Sequence, residues 1–544
     1  MPTVPDYISI DQNSNTLWDT VPKLAALCHH GLRGLHCLED IDMAFTRRGA
    51  HAGDHTLELV PERYYRGGVS DWGATLFYTD FLGRQPLDVA DLEPYTGWST
   101  AALSRRLGCS VDDLYDRYSP SDNWQLVGAS YAEDSRFHRV IGDLAVANLA
   151  PYVRQLLDRV GEDLHACFPE AAAQARIDAW LSEECRLVEG LIDELADAPL
   201  TELYRKWVAA RVPCSTDLKL TSELFSLDHG RTPMLALLER FVLDYDEMAG
   251  LYNESVEEAG VGVHPLHVSH GDLPFFVVAE RDGRLVRTAA TLVDGQVVAG
   301  DWHWDVTEDG LPLAQMQRDG VRCLAGKALL LVLQVRLVGD GSPLALPHLG
   351  SLYMPAAYAL ERKLRAAGVL TEAVHPIQRV RLRFFESWQD CSTRVRVPAY
   401  LAGVFSADEL PATVLADEIQ AAAPRAEALL ASLREPAGRE AWQEENCTVQ
   451  LAEREALEAQ RRAMVQGPHD KSEVRALYGQ VKELDRQLLE ALTDAVVQAM
   501  RIRDLLYYDS RGGLLPWSIA LGGESFYTGL LARSEILAET ADDI

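Results

Sequence analysis

The sequence predicts an α/β protein with an antiparallel helical hairpin, a coiled coil, near its C-terminus. Residues 124–130 are typical of a strand that ends in small residues, and an amphipathic helix follows at 139–160. Strand, tight turn and helix form the unit of a parallel sheet. Residues 440–465 and 471–506 are almost free of Gly and Pro, and residues 466–470 separate them with a helix stop. The length of 544 residues allows about two to four folding units.

The other elements are predicted from periodicity and composition. Apolar residues at steps of three and four predict helices, and β-branched or aromatic runs between turn residues predict strands. The predicted helices span 17–37, 171–207 and 232–256, and the predicted strands span 55–60, 74–78, 275–279, 284–288 and 296–299. Asp282-Gly283 and Asp294-Gly295 predict the turns of a meander through the last three strands, because these dipeptides favour positive φ.

The second hairpin helix carries a regular apolar stripe. Val474, Leu477, Val481, Leu484 and Leu488 recur at steps of three and four. Such a stripe predicts a seam between two paired helices that project from the body. The alternative is that it is ordinary core of a helix bundle, without a projecting arm.

Four parts are predicted along the chain. Residues 1–199 form the N-terminal α/β part of the core with helical segments, and residues 200–424 form the second α/β part. Residues 425–508 form the helical hairpin, and residues 509–544 return to the core.

The charge balance excludes several partner classes. Fifty-one basic and 82 acidic side chains give a net charge of −31, which repels nucleic acid and anionic lipid. The longest apolar stretch, 328–338, contains Gln334 and Arg336 and is about half the length of a membrane-spanning helix. It predicts a buried element, and we expect no nucleic-acid or membrane partner.

The cysteines and the N-terminal residues predict a cytoplasmic protein. The sequence begins without a basic region followed by an apolar core, so no export signal is indicated. Scattered cysteines in odd number, without a Cys-x-x-Cys pair, are typical of reduced thiols. They are Cys28, Cys37, Cys109, Cys167, Cys185, Cys214, Cys323, Cys391 and Cys447.

Common catalytic motifs do not occur in the sequence. It contains no phosphate loop, no Gly-x-Gly-x-x-Gly after a strand, no Gly-x-Ser-x-Gly elbow and no His-Glu-x-x-His helix. Nucleotide binding would therefore need an atypical site.

Three histidines and an aspartate form a conspicuous cluster. His264, His267, His270 and Asp272 offer donors of the type that bind zinc or iron. On an extended segment, however, residues three apart point to opposite faces. We therefore favour a polar loop before a strand, with a metal site as the alternative.

Residues 301–305 alternate between carboxylate, aromatic and histidine side chains. Alternation places Trp302 and Trp304 on one face of a strand and His303 on the other, between two aspartates. A carboxylate beside His303 could orient it for general-base catalysis. We favour the alternative, in which the aromatic face of the strand is packed and its charged face is exposed to solvent.

Polar residues follow the strand predicted at 124–130. Ligands of open α/β sheets bind at the carboxyl ends of strands. Arg136 could therefore bind a carboxylate or phosphate, and Asp134 or His138 could carry a proton. Helix capping by Asp134 and solvated charge are the structural alternatives.

A second candidate cluster surrounds the apolar stretch. Lys327 and Arg336 in apolar surroundings need counter-charges or a bound anion. The turn at His348, Gly350 and Ser351 is small enough for backbone N–H groups to approach a ligand. The alternative is that Lys327 extends its ammonium to solvent and that Gly350 only relieves a turn.

From about Trp207 onward, the order of segments resembles that of the cysteine-adding ligase family of bacillithiol biosynthesis. The matching segments are 252–255, 270–276, 327–334, a glycine-bearing turn with Tyr353, the helical hairpin, and a closing Gly512-Gly513 segment. The resemblance implies a Rossmann-like core, a coiled coil, a dimer and joining of the cysteine carboxyl group to an amino sugar conjugate as an amide. It also implies that Lys327, Gln334, Gly350 and Tyr353 are pocket residues.

We therefore predict a cytosolic amide-forming ligase or acyl transferase that acts on an amino acid and a small polar metabolite, with ATP and magnesium as candidate cofactors. Arg136, Lys327 and Arg336 would bind the anion, and His138 or His348 would be the base. The predicted catalytic residues are His138, His348 and Lys327, and the predicted substrate-binding residues are Asp134, Arg136, Gln334, Arg336, Gly350, Ser351 and Tyr353.

Two alternatives belong to other functional classes. The first is a catalytically degenerate scaffold or binding protein that dimerises through the hairpin at 440–506. The second is a metal-dependent enzyme that uses His264, His267, His270 and Asp272.

Overall fold

A computed structural model gives the architecture of the chain. It describes residues 5–10, 17–42, 45–47, 58–63, 71–73, 87–127, 136–214, 216–260, 263–351, 353–405, 407–466, 471–509 and 514–543. The structure confirms a mixed α/β fold that contains a sheet of parallel strands.

Strands occur along most of the chain. They are β1 (Ile8–Ile10), β2 (Leu35–Leu38), β3 (Phe45–Arg47), β4 (Glu58–Arg63), β5 (Asp71–Gly73), β6 (Pro120–Val127), β7 (His138–Arg139), β8 (Asp217–Leu220), β9 (Asp272–Arg281), β10 (Arg284–Val293), β11 (Gln296–Ala299), β12 (Trp302–Asp305), β13 (Val321–Gly326), β14 (Leu344–Pro347), β15 (Ile377–Arg381), β16 (Arg394–Arg396), β17 (Glu409–Pro411) and β18 (Glu535–Glu539).

Helices connect and cover these strands. They are α1 (Leu17–His29), α2 (Glu93–Thr96), α3 (Thr100–Leu107), α4 (Val111–Tyr118), α5 (Val146–Cys167), α6 (Ala171–Glu194), α7 (Leu200–Arg211), α8 (Thr221–Leu224), α9 (Pro233–Leu243), α10 (Tyr245–Ala259), α11 (Leu313–Arg318), α12 (Ala328–Val335), α13 (Met354–Ala366), α14 (Phe384–Ser387), α15 (Ala399–Phe405), α16 (Ala412–Leu433), α17 (Pro436–Asn446), α18 (Thr448–Val465), α19 (Lys471–Asp504), α20 (Leu514–Gly522) and α21 (Glu524–Arg533).

The mainly parallel sheet determines where the polar groups of the candidate site lie. Its strand order is β18-β15-β14-β1-β2-β8, with β18 alone antiparallel to its neighbour. Residues that pair across adjacent strands lie on the same face of the sheet. One such row crosses four strands and consists of Leu344, Ile8, Leu35 and Asp217. Because the other strands run in one direction, the carboxyl ends of β14, β1 and β2 meet at one edge.

The second sheet is antiparallel and confirms the predicted meander. Its order is β12-β11-β10-β9-β13, and β7 also pairs with β10. The β9–β10 turn uses Asp282 and Gly283, with φ of 51° and 72°, and the β10–β11 turn uses Asp294 and Gly295, with φ of 49° and 78°. These positive values explain the Asp-Gly sequences at both turns.

Two hydrophobic cores cover the two faces of the parallel sheet. Tyr7, Leu38 and Ala345 belong to the core on one face, which also contains residues of α1, α5, α6 and α7. Ile8 and Leu344 belong to the core on the other face, together with α9, α10, α12, α13 and the antiparallel sheet. The apolar stretch predicted as a buried element is α12, so that prediction is confirmed.

Helices α18 and α19 lie side by side. Arg454 Nε of α18 lies 2.5 Å from Asp485 Oδ1 of α19, and the Arg461 guanidinium lies 5.8 Å from the Tyr478 ring centroid. The predicted apolar stripe is buried from Leu477 onward. Further along α19, buried residues between Leu489 and Met500 pack in a core with α3, α4 and α16. The C-terminal part of α19 is therefore bundle core.

Several predicted elements need correction. The strand predicted at 124–130 is not part of the parallel sheet, since β6 pairs antiparallel with β4, and the following long helix begins only at Val146. The helix predicted over 17–37 ends at His29, and β2 follows. The strand predicted at 74–78 lies outside the described residues. Parallel strands as short as β1 and β2, with three and four residues, are too short for a period to be visible.

One cysteine pair departs from the prediction of reduced thiols. Cys28 at the end of α1 and Cys214 before β8 form a disulfide, with Cα atoms 6.2 Å apart. They are 186 residues apart in sequence, so their spacing carried no signal.

Among the described residues, none of the helices combines the length and apolar composition that crossing a lipid bilayer requires.

Candidate functional site

The carboxyl end of β2 leads directly into an acidic segment. Glu39 Oε1 accepts the backbone N–H groups of Ile41 at 2.9 Å and Asp42 at 2.8 Å. Asp40, only 2% exposed, accepts hydrogen bonds from the backbone N–H and the hydroxyl of Ser222. The segment is thus held in one conformation by its own carboxylates.

Two of these carboxyl groups titrate well above their ordinary range. Burial and the neighbouring Asp42 and Asp40 carboxylates raise the pKa of Glu39 to about 8. Burial raises the pKa of Asp40 to about 6, against hydrogen bonds from Ser222 that lower it. At neutral pH Glu39 is therefore mainly protonated and is able to donate a proton at this edge.

Glu39→Gln is expected to flatten the pH dependence of stability. The folded state keeps a proton that the unfolded chain releases above pH 4.5, so the unfolding free energy falls as pH rises from 4.5 to 8. In the wild-type protein this fall in unfolding free energy is roughly 2–4 kcal/mol. The Gln variant should not show it, because the amide cannot ionise. Urea unfolding at pH 5 and pH 8 measures the difference.

Glu39→Ala is the matched control for this variant. It also removes the titration but loses the acceptor for Ile41 and Asp42, so we expect it to be destabilised at both pH values. An unchanged slope of stability against pH in Glu39→Gln would contradict the assignment.

Two cations face one aromatic ring beside the acidic segment. Arg287, 8% exposed, forms an ion pair with Asp42, and its guanidinium carbon lies 4.1 Å from the Phe276 ring centroid. Lys327 Nζ lies 5.2 Å from the same centroid. Strand pairing explains this, since Arg287 of β10, Phe276 of β9 and the end of β13 before Lys327 are neighbours on the antiparallel sheet. The three side chains form a positively charged patch.

The ammonium group of Lys327 is poorly stabilised. Burial lowers its pKa, the Arg287 charge lowers it further, and Asp272 opposes both effects. Lys327 forms no ion pair with a carboxylate of the described residues. A partly buried cation in this position favours the binding of an anion.

His138 lies directly opposite Arg287 in the β7–β10 pair. Burial and the Arg287 charge lower the pKa of His138 to about 4, while Asp42 acts in the opposite direction. Its imidazole is therefore neutral at physiological pH, the form that can accept a proton.

A second group lies at the carboxyl end of β14. Arg379 donates hydrogen bonds to the carbonyls of Gly350 at 2.8 Å and Pro347 at 3.3 Å. The same guanidinium forms a bidentate pair with Glu539 of β18 at 2.9 and 3.0 Å. Arg379 therefore holds the predicted turn, and His348 within it, in a fixed position.

His348 is half-buried beside these charges. Burial and the nearby Arg381 and Arg379 lower its pKa, and Glu539 and Glu535 oppose them. Like His138, it is a neutral base at the carboxyl edge.

The strand order relates the two groups. β1 lies between β14 and β2, and neighbouring strands lie about 4.8 Å apart. The ends of β14 and β2 are thus roughly 10 Å apart along one edge. His348 on one side, and Glu39 with the Arg287–Lys327 patch on the other, flank the carboxyl end of β1. Asp134 lies outside the described residues.

Two predicted pocket residues are core residues. Gln334 accepts the Gly326 N–H and donates to the Met234 carbonyl, both at 2.9 Å. Arg336, 2% exposed, pairs with Glu361 at 3.1 Å and donates to the His375 carbonyl at 2.7 Å. Because buried partners satisfy both side chains, we assign them to holding the fold rather than to binding substrate.

The remaining predicted residues are a surface arginine and the end of the turn after β14. Arg136 is exposed and pairs with Asp301 at 2.6 Å. Ser351 has a φ of 63°, the left-handed region, and Tyr353 stands at the N-terminus of α13. The turn therefore bends sharply between β14 and α13.

The histidine cluster gathers only in part, with the His267 and His270 ring centroids 5.7 Å apart. His264, His267 and His270 are exposed, and Asp272 accepts the backbone N–H of His267 at 3.1 Å. Within the described part of the chain, no group of three or more His, Cys, Asp or Glu side chains is placed to hold a metal ion. The metal alternative therefore gains no support from these residues.

Residues 301–305 follow the preferred interpretation. Trp302 and Trp304 stack with ring centroids 6.1 Å apart, and Trp304 is fully buried. His303 is on the exposed face of β12, so the face is wet as predicted.

Sequence reasoning missed Glu39, Asp40, Asp42, Arg287 and Phe276. A signal did exist, because three acidic residues follow an apolar run that begins directly after Gly34. The contribution of Arg287 could not be read from the sequence, since it depends on the pairing of β7, β9 and β10.

Comparisons with protein-family models, with curated proteins and with solved structures give no match for this chain. The geometry of the carboxyl edge therefore carries the assignment of function.

Proposed function

We propose that the protein is an enzyme that forms amides, by transferring the acyl group of an amino acid to the amine of a small polar metabolite. The observation that carries the proposal is the Arg287–Lys327 pair on Phe276, directly beside the neutral imidazole of His138. A pair of cations suits an anionic acyl donor, and a neutral base suits an amine nucleophile.

In the proposed reaction the amine attacks the carbonyl carbon of an activated acyl donor. A C–N bond forms, the bond from that carbon to the leaving oxygen breaks, and the leaving group departs with the electron pair. His138 takes the amine proton, and the protonated Glu39 can donate a proton to the leaving group. Binding of an anion at Arg287 weakens the charge that lowers the pKa of His138, so substrate binding makes His138 a stronger base.

The fold and the predicted cofactors are compatible with this proposal. The order β8-β2-β1-β14-β15 supports a Rossmann-like core, in which ligands bind where the order reverses, here between β1 and β14. Arg287 and Lys327 fit the anionic part of ATP, and magnesium would arrive with the nucleotide, because the described residues offer no metal-holding group. The resemblance to the bacillithiol ligase family adds cysteine as the acyl donor of this proposal.

A direct assay tests the proposal. The protein is incubated with L-cysteine, glucosamine and ATP, then with the other amino acids in place of cysteine, and condensed products are sought by mass spectrometry. We expect a product that has lost one water relative to its two components. Absence of any product, together with no ligand-induced rise in melting temperature, would contradict the enzyme proposal.

A surface observation favours a second candidate, a binding protein that forms a homodimer through the helical hairpin. None of the described α18 side chains is buried, and Val449 and Val465 are exposed at 73% and 51%. Light scattering of Val449→Glu/Val465→Glu against wild type tests this. A dimer that dissociates in the variant, in a protein without condensing activity, would favour the second candidate.

A further inference from the structure

A cavity lies at the amino edge of the parallel sheet, opposite to the proposed catalytic edge. Its volume is about 460 Å³, within the roughly 300–1,000 Å³ range of small-molecule sites. Pro5, Arg33 and Gly34, which precede β1 and β2, form one end. The short helix α8 and the start of α9 form the opposite wall.

The floor of the cavity changes from apolar to charged across the sheet. Leu344, Ile8 and Leu35 are buried and lie in one row, and Asp217 of β8 continues that row but is exposed. Lys219, on the same face of β8, is exposed too. The core that covers this face therefore ends at β2, and the cavity occupies the uncovered part.

Opposite charges line this cavity. Arg33 and Lys219 supply two cations, and Asp217, Glu223 and Asp340 supply three carboxylates. Glu223 accepts the backbone N–H of Leu220 at 3.0 Å. Among the described residues, Arg33, Lys219 and Asp217 form no side-chain ion pair. A ligand of a single sign would match only the cations or only the carboxylates, whereas a ligand with both signs would match both.

Among these groups, Asp340 has a buried oxygen without a hydrogen-bond partner. Its Oδ2 accepts the Met234 N–H at a long 3.4 Å, and its Oδ1 is buried without a hydrogen-bond partner. Burial raises the pKa of Asp340, and hydrogen bonds from Thr232 and Met234 lower it in part. A bound ammonium group would supply the missing donors and charge.

We propose that this cavity is a binding site for a zwitterionic amino acid with an apolar side chain. The ammonium group binds Asp340, the carboxylate binds Lys219 and Arg33, and the side chain packs on Ile8, Leu35 and Met234. The site is independent of the proposed amide-forming reaction, because its residues start the strands whose opposite ends carry the catalytic candidates.

Isothermal titration calorimetry with L-leucine tests the proposal. N-acetyl-L-leucine, which lacks the ammonium, and L-leucinamide, which lacks the carboxylate, are the comparison ligands. We expect L-leucine to bind at this site with a stoichiometry of one per chain. We expect either analogue to bind more weakly by about tenfold or more. Failure of L-leucine to bind wild-type protein would overturn the proposal.

Three variants locate the binding. Asp340→Asn keeps the size of the side chain and the acceptor for the Met234 N–H. Lys219→Met changes an exposed side chain on an edge strand, so we expect this variant to fold. Each is expected to weaken L-leucine binding by about tenfold or more. Lys327→Met, at the catalytic edge, is expected to leave L-leucine binding at this cavity unchanged. If Lys327→Met abolishes binding while Asp340→Asn and Lys219→Met do not, the amino acid binds at the other edge and the proposal is wrong.

Discussion

Lys327→Met is expected to lower kcat/KM for the condensation by about 10²–10³-fold, while the fold is retained. Methionine keeps the length and apolar character of the lysine stem, so contact with Phe276 is preserved. It removes the ammonium that, beside Arg287, would stabilise negative charge on the acyl donor. Steady-state kinetics with the substrate pair from the product screen measures the loss, and thermal unfolding checks the fold.

Arg322→Met provides the matched control on β13, the strand that directly precedes Lys327. The exposed side chain of Arg322 pairs with Glu280 at 2.6 Å on the surface. Surface pairs of this kind contribute about 0–1 kcal/mol, so this variant should keep wild-type kinetics and stability. Equal activity of Lys327→Met and Arg322→Met would remove Lys327 from the catalytic assignment.

Arg336→Met is expected to lower the free energy of unfolding by about 3–5 kcal/mol, the largest stability effect of the predicted variants. Arg336 is 2% exposed, pairs with Glu361 and donates to the His375 carbonyl. Its removal leaves a buried carboxylate without its main partner. Urea denaturation followed by circular dichroism measures the change.

A double variant separates the effect of the lost Arg336 contacts from that of the unpaired Glu361 carboxylate. In Arg336→Met/Glu361→Gln no buried carboxylate is left, so stability should recover by about 1–3 kcal/mol over the single variant. Arg362→Met, which alters an exposed pair with Glu258, is the control and should change stability little. If Arg336→Met lost activity at unchanged stability, Arg336 would return to the list of substrate-binding residues.

Elements with a strong local signal were predictable from the sequence. The Asp-Gly turns fixed the β9–β10–β11 meander, and the apolar stripe of α19 located a long helix with one buried side. The parallel sheet was not predictable, because β1, β2 and β14 have only three or four residues each, which shows no period. Their pairing is decided by burial between two cores, which is a tertiary effect.

The candidate site was predicted in part, for the same reason. Lys327, His138 and His348 carry functional groups at segment ends, and the structure places all three near the carboxyl edge. Gln334 and Arg336 are equally conspicuous in sequence, but their partners Met234, Glu361 and His375 become neighbours only after folding. A polar residue in an apolar stretch thus indicates a buried partner as readily as a ligand.

The pairing of β1 has a consequence for how the chain folds. Ile8 pairs with Leu35, which is near in sequence, but also with Leu344, which lies 344 − 8 = 336 positions away. Such distant pairing slows folding, because a large loop must close before the contact contributes free energy. During synthesis, the edge of β1 that pairs with β14 has no partner strand until β14 has left the ribosome. We therefore expect refolding to be slow.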